Sequence, residues 1–455
     1  ITASDLSDQL LKDLLDMAAR HADAAELYLV SSEAIPATFE MNKLKHVETR
    51  RMRGAALRVI KSGRIGFSSS TDTSEAAARE LISAAVDSAD MGEPALFDLP
   101  GPTPEGESAT PLIYDDKIAQ LDADALIRMG QQIVDIITEY DPSIKCGVEL
   151  ERKVEEVTVA NSNRGGGGYR RTTLTAMADA LLVEGNDILM VFDMNGSCCS
   201  DFDHRSIAHE VLERVKLGRK IAEVRTGRMP VLFTHRGIMP LLMALQSALS
   251  GKTALEGASP LAKSTGRQML DPRVFIYDDP TVNWALGSCP MDAEGVQSRR
   301  TPLIEAGIVK GFYYDLQTAG RAGVSSTGNG FRRAGAGDYF EGQPAPALTN
   351  AMVSPGCESL SDMIASMDEG IIVDQVMGAG QGNILTGDFS VNVHLGFKVE
   401  KGEIVGRVKD TMVAGNTMEA LNSLAAISDC AEWAFGQYSS PAFLFRSLGV
   451  ASKGR

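Results

Sequence analysis

Apolar positions recur along this chain at two periods, and the alternation between them predicts its elements. Leu6, Leu10, Leu11, Leu14, Leu15 and Ala18 fall at helical spacing, so residues 4–20 read as an amphipathic helix with Ser4 or Asp5 as N-cap. Strand-like runs follow at Ala25 to Val30 and Ala37 to Met41. Gly54 to Ile60 and Arg64 to Ser68 alternate on either side of Lys61-Ser62-Gly63 and predict a hairpin. Thr73-Ser74 caps a helix running through Ala89, and Asp122 to Tyr140 repeats the helical period through Ile127, Ile133, Ile136 and Ile137. Between them, Met91 to Pro111 carries Pro94, Pro100, Pro102, Pro104 and Pro111, which predicts an extended connector across a surface. Strands return from Ile144 to Asn195, with the glycine run Arg164 to Tyr169 between two of them, and a helix spans His204 to Val224.

A boundary falls near Thr226-Gly227-Arg228-Met229-Pro230, dividing the chain into domains 1–226 and 227–455. Beyond it, Val231 to Phe233 is a short strand and Pro240 to Leu249 a helix with Gly251 as its C′ residue. The remainder is rich in glycine and strand to about Ser428, apart from a helix at Leu360 to Asp368. Thr301 to Ile304 and Val309 to Tyr314 form a hairpin around Glu305-Ala306-Gly307, followed by a helix from Leu316 to Ala322. Ser325 to Arg332 is too rich in glycine and small hydroxyls to be helix or strand, so it reads as a loop. The fold class is α+β: an N-terminal mixed α/β domain, then a β-rich, barrel-like antiparallel C-terminal domain.

At 455 residues, 44% hydrophobic and 23% charged, the chain has the composition of a globular protein with more than one core. Its 44 Lys and Arg stand against 60 Asp and Glu, a formal charge of −16. A duplex-binding surface needs clustered cations, so nucleic acid is not an expected partner. Lys43, Lys45, Arg50, Arg51 and Arg53 alternate along a strand and read as a solvated face. No apolar run reaches the ~20 residues of a membrane span, and the first residues lack a signal-peptide pattern. Six scattered Cys without a Cys-x-x-Cys pair point to reduced thiols and a cytoplasmic location.

Hydrolytic chemistry finds no foothold in local motifs. His209-Glu210 and Glu213 form His-Glu-x-x-Glu without the second His that a zinc helix needs, and read as the wet face of a helix. Cys198, Cys199 and Cys289 have no adjacent His, and no nucleophile elbow occurs. Ser250-Gly251-Lys252-Thr253 follows a helix rather than a strand, which excludes a P-loop, and Gly378 to Asn383 lacks a dinucleotide-binding context. A metal site assembled from His235, His394 and Cys430 is the one distant alternative. Asn329, Arg332, Asn350 and Asp388 are polar residues in glycine-rich loops, placed either to orient the groups of a bound peptide or to tie loops together. Exposed strand edges offer a second means of taking up an extended peptide.

Several pieces, in order over the second half, resemble one family. They are Asp292-Ala293-Glu294-Gly295, Arg300 to Gly307, Ser326-Thr327-Gly328-Asn329, Thr349-Asn350, Thr386-Gly387-Asp388-Phe389-Ser390 and Asn416. The chain resembles the TldD/PmbA family, once described as modulators of DNA gyrase and now associated with a two-subunit metallopeptidase. Catalytic members carry His-Glu-x-x-x-His on the helix corresponding to Pro240 to Leu249, with a later Cys as a further ligand. Here that helix reads Pro-Leu-Leu-Met-Ala-Leu-Gln-Ser-Ala-Leu, whose Leu241, Leu242, Leu245, Ala248 and Leu249 form an apolar stripe. The resemblance therefore implies a PmbA/TldE-like subunit with no metal or catalytic residue of its own. It implies zinc in a TldD-like partner subunit and an assembly acting on unfolded or leader-type peptides. The alternative is a homodimeric, non-enzymatic peptide-binding or regulatory protein.

Overall fold

The computed structural model describes residues 14–72, 74–104, 110–332, 340–380 and 382–453. The start of the first predicted helix, its cap and Thr73 lie outside these residues. Seven strands form a first, wholly antiparallel sheet: β1 (Ala24–Glu40), β2 (Lys43–Val47), β3 (Arg50–Lys61), β4 (Arg64–Ser70), β5 (Lys145–Asn161), β6 (Gly166–Glu184) and β7 (Asp187–Ser197). Their order is β4-β3-β1-β5-β6-β7, with β2 paired to β1. The two runs expected at Ala25 to Val30 and Ala37 to Met41 are one strand. Gly166 to Gly168 also belong to a strand, paired with Val159 and its neighbours. The β3–β4 hairpin turns on Ser62 and Gly63, both at positive φ, with Lys61 opposite Arg64.

Strand alternation gives this sheet two different faces. Leu27, Leu29, Leu57 and Val59 pack on the helix Glu75–Ser88, whose N-terminus is capped by the Ser74 hydroxyl. Val148, Leu150, Ala176 and Ala178 pack on the helices Ala123–Tyr140 and Arg205–Gly218, and the first of these is capped by Asp122. The opposite face, at Tyr28, Val30, Val157 and Val159, packs on Met291, Ala293 and Phe340 from the second half of the chain.

The second half builds an eleven-stranded sheet from β8 (Gly227–Phe233), β9 (Ile276–Asp278), β10 (Thr301–Glu305), β11 (Ile308–Val309), β14 (Ala351–Val353), β15 (Glu369–Met377), β16 (Asp388–Glu400), β17 (Glu403–Arg407), β18 (Thr411–Asn416), β19 (Leu424–Ala434) and β20 (Tyr438–Ser452). Between β11 and β14, β12 (Gly330–Phe331) and β13 (Ala345–Pro346) form a separate pair. Because β8 pairs with both β15 and β20, the strands β8-β15-β16-β18-β20 close into a barrel. An odd number of strands cannot close with every neighbour reversed, and the exception is the parallel β8–β15 pair. Phe233 meets Phe389 and Phe445 edge-on in the core, at ring-centroid separations of 6.3 and 5.7 Å. The helix Met239–Leu249 buries Leu241, Leu242, Leu245, Ala248 and Leu249 in the same core. Gly251, expected as its C′ residue, opens the next short helix, Gly251–Leu255.

Candidate functional site

A cavity of about 320 Å³ lies between the second face of the first sheet and loops of the second half. Register builds its floor. Val157 stands opposite Tyr169, Glu155 opposite Arg171 and Lys153 opposite Thr173, so alternate residues of β5 and β6 point the same way. Tyr28 and Val30 of β1, Met52 of β3 and Met194 of β7 complete that surface. Leu286, Gly287 and Cys289 form one wall, Phe331 and Arg332 a second, and Phe435 and Gln437, from the β19–β20 turn, a third.

A buried aspartate positions two of those walls. The Asn329 side-chain amide donates to Asp278 Oδ2 at 2.7 Å and to the Ala347 carbonyl at 2.9 Å. The backbone N–H groups of Thr349 and Asn350 donate to Asp278 Oδ1 at 2.8 and 3.0 Å, and the Thr349 hydroxyl donates to Oδ2 at 3.0 Å. From there the Asn350 amide reaches the Asp279 carbonyl and the Ser288 hydroxyl, both at 2.8 Å, and fixes the wall that holds Gly287. Gly287 has to be glycine, because a Cβ would lie 2.5 Å from Asn350 Oδ1 and 2.3 Å from the Thr349 carbonyl oxygen.

The charge network beneath the cavity is fully buried. Glu26 and Arg58 are direct cross-strand partners, joined at 2.7 Å. Arg58 also reaches Glu294 at 2.6 Å, and Arg332 reaches Glu26 at 3.1 Å, so two Arg and two Glu tie the first sheet to the loops above it. Glu294 Oε2 accepts the N–H of Leu316 at 2.7 Å. Burial pushes the carboxyls of both Glu294 and Asp292 upward, although Arg58 acts against this at Glu294 and three backbone N–H bonds oppose it at Asp292. At the cavity floor the balance reverses. Burial opposes ionisation of Glu155, yet Arg171 and Lys153 outweigh it and hold the carboxyl down at about 2. Burial alone dominates the phenols of Tyr28 and Tyr169, which are pushed well up and keep their protons at neutral pH.

Of the residues singled out from sequence, Arg332 lines the cavity while Asn329 and Asn350 stand behind its walls. Asp388 belongs to a separate exposed cluster, where it accepts from the Thr386 hydroxyl at 2.7 Å and the Asn416 amide at 2.8 Å. Sequence reasoning missed Glu26, Arg58, Glu155, Arg171 and Asp278. A usable signal existed for the first two: Ala25-Glu26-Leu27 and Leu57-Arg58-Val59 each place a charge inside an apolar run. Such charges persist only when paired.

Among the described residues, the candidates singled out from sequence do not assemble a zinc site. The helix Met239–Leu249 offers only apolar, Met, Gln and Ser side chains, none of them a zinc donor. His235 is buried with Nδ1 3.5 Å from Glu432 Oε1, and burial aided by Arg236 and Arg214 holds it down at about 2. His394 lies against the Phe192 ring at 5.9 Å, and Cys430 is exposed. Among the described residues no three His, Cys, Asp or Glu side chains group to hold a metal ion.

Residues 226–452 match the PmbA/TldA metallopeptidase C-terminal domain, and residues 25–89 match PmbA/TldA metallopeptidase domain 1. The chain belongs to the TldD/PmbA family. It is 26% identical to the metalloprotease TldD homolog of Haemophilus influenzae, over 96% of this chain and 92% of that one. It is 24% identical to metalloprotease PmbA of Escherichia coli O157:H7, over 93% of this chain and 91% of the relative. Its fold matches the crystal structure of TldE from Thermococcus kodakarensis with a TM-score of 0.89 at 24% identity, covering 97% of this chain and all of the other. Of the cavity lining, Tyr28, Val30 and Met52 come from the first matched segment and Leu286 to Gln437 from the second, while the charged floor, Lys153 to Met194, lies between the two. No helix among the described residues is long and apolar enough to cross a membrane.

Proposed function

We propose that this chain is a TldE-like subunit of a TldD/TldE-type metallopeptidase, holding peptide without hydrolysing it while a TldD-like partner carries the zinc. The observation that carries this reading is the helix Met239–Leu249, packed by its leucines into the core where catalytic relatives would present imidazoles. In this reading residues 1–226 form the platform and residues 227–455 the loops and barrel that close over it. The inter-sheet cavity then takes part of an unfolded or leader-type peptide in the cytoplasm, with Asn329, Arg332 and Asn350 shaping its walls. Relatives named as metalloproteases supply the reaction class.

Native purification from its own cells tests the assignment. A chain bearing His-Glu-x-x-x-His should co-purify, and chelator-sensitive peptide cleavage should follow that partner. The isolated chain should bind no stoichiometric zinc, and EDTA should leave its unfolding midpoint unchanged. Tightly held zinc with cleavage by this polypeptide alone would overturn the reading.

A further inference from the structure

The cavity floor is richer in donors than its own acceptors can use. An Arg side chain has five N–H groups and a Lys three. Arg171 donates to the Leu286 carbonyl at 3.2 Å and to Glu155, and Lys153 donates to Glu155 at 2.5 Å. Several donors of each therefore remain uncommitted. Among the described residues, neither the Tyr28 nor the Tyr169 hydroxyl has a protein partner, although Tyr28 is only 8% exposed and lines the cavity. The Tyr28 ring is held by the Arg332 guanidinium, 5.0 Å from its centroid. Three cations, Lys153, Arg171 and Arg332, line the cavity against one carboxylate, Glu155. Glu26 offsets Arg332 from behind, which leaves the excess at Lys153 and Arg171.

That excess calls for an anion, and the rest of the lining narrows its kind. With Glu26 offsetting Arg332, Lys153 and Arg171 stand against Glu155 and leave an excess of about one positive charge, which the single charge of a carboxylate neutralises without leaving a buried surplus. Apart from Thr173 and Gln437, the remaining lining is largely apolar, with Met52, Met194, Leu286 and Phe435. At about 320 Å³ the cavity sits at the small end of ligand pockets, which run to roughly 1,000 Å³, so it suits one end of a chain better than a strand passing through.

We propose that this cavity binds the C-terminal residue of a peptide. Its α-carboxylate is held by Arg171, Lys153 and the hydroxyls of Tyr28 and Tyr169, and its apolar side chain lies against Met52, Met194 and Phe435. The inference rests on the peptide-binding reading, and it adds that recognition begins at a free carboxyl end.

Titration calorimetry on the full chain with N-acetyl-leucine and N-acetyl-leucinamide tests it, and needs neither zinc nor a partner. The acid should bind at least tenfold more tightly than the amide. Arg171→Gln should bring the acid down to the level of the amide. Should that variant fail to fold, Tyr169→Phe keeps the ring packing and should weaken the acid several-fold while leaving the amide unchanged. Equal affinity for acid and amide, no binding of either at millimolar concentration, or stronger binding of inorganic phosphate than of the acid would each overturn the inference. Failure of a zinc subunit to co-purify would sink the subunit assignment and leave this measurement standing.

Discussion

Asp278 is fully buried and holds three segments together through one carboxylate. Its loss leaves buried N–H groups of Asn329, Thr349 and Asn350 without an acceptor, so Asp278→Ala should cost roughly 3 kcal/mol or more in a denaturant titration. Glu155 behaves oppositely to the acids above it. Its carboxyl is held at about 2 when folded, below its usual 4.5, so its contribution to stability is present above pH 4.5 and lost as pH falls toward 2. Glu155→Gln should remove that segment of the stability–pH curve, worth roughly 3 kcal/mol at one pKa unit per ~1.4 kcal/mol. Little of this was legible in the sequence. Glu155 and Arg171 sit in ordinary alternating strand segments, and only the β5–β6 register makes them partners. Asp278 ends a three-residue strand that no period marks.

Elements were far more legible, because their signals are local. The hairpin at Ala306-Gly307 forms as expected, with both residues at positive φ and Ile304 opposite Val309, although its second strand stops at Val309. The helix Leu316–Ala322 is capped by the Asp315 side chain, which accepts the Thr318 N–H at 2.8 Å. The apparent break within β1 comes from the polar run Ser31-Ser32-Glu33 and from Pro36 shortly after it. Pro36 is tolerated because it falls between two partners on one side: β3 ends its pairing opposite Ala34, and β2 begins opposite Ala37. The helix Met239–Leu249 carries the sharpest test at this scale. Leu241 is fully buried, so Leu241→Ala should cost about 2–5 kcal/mol by cavity formation. A drop of that size in thermal or denaturant unfolding marks the helix as a core element, and a neutral substitution would contradict it.

Across the whole molecule, the first sheet and the second half meet through buried charge as well as apolar packing. Arg58 contacts Glu26 within its own sheet and Glu294 in the second half. Removing one partner of such a pair strands the other in a low dielectric, and Arg58→Ala should lose about 3–5 kcal/mol. The loss should appear both in urea titration and as faster proteolysis at the join, whereas a change below 1 kcal/mol would show that the network does not hold the halves together. Gly54 of β3 shows how closely they approach, since a Cβ there would lie 2.3 Å from the Phe340 ring.

By itself the amino-acid sequence determined what depends on near neighbours: helix and strand periods, turn glycines, an acidic charge balance and the apolar stripe of the helix Pro240 to Leu249. Only the tertiary structure decided the cavity, the parallel seam that closes the barrel and the pairing of buried charges. Arg332 and Glu26 stand 306 residues apart in the chain, and Arg58 and Glu294 stand 236 apart. Local periodicity says which face a side chain takes, but not which distant strand or loop will cover that face.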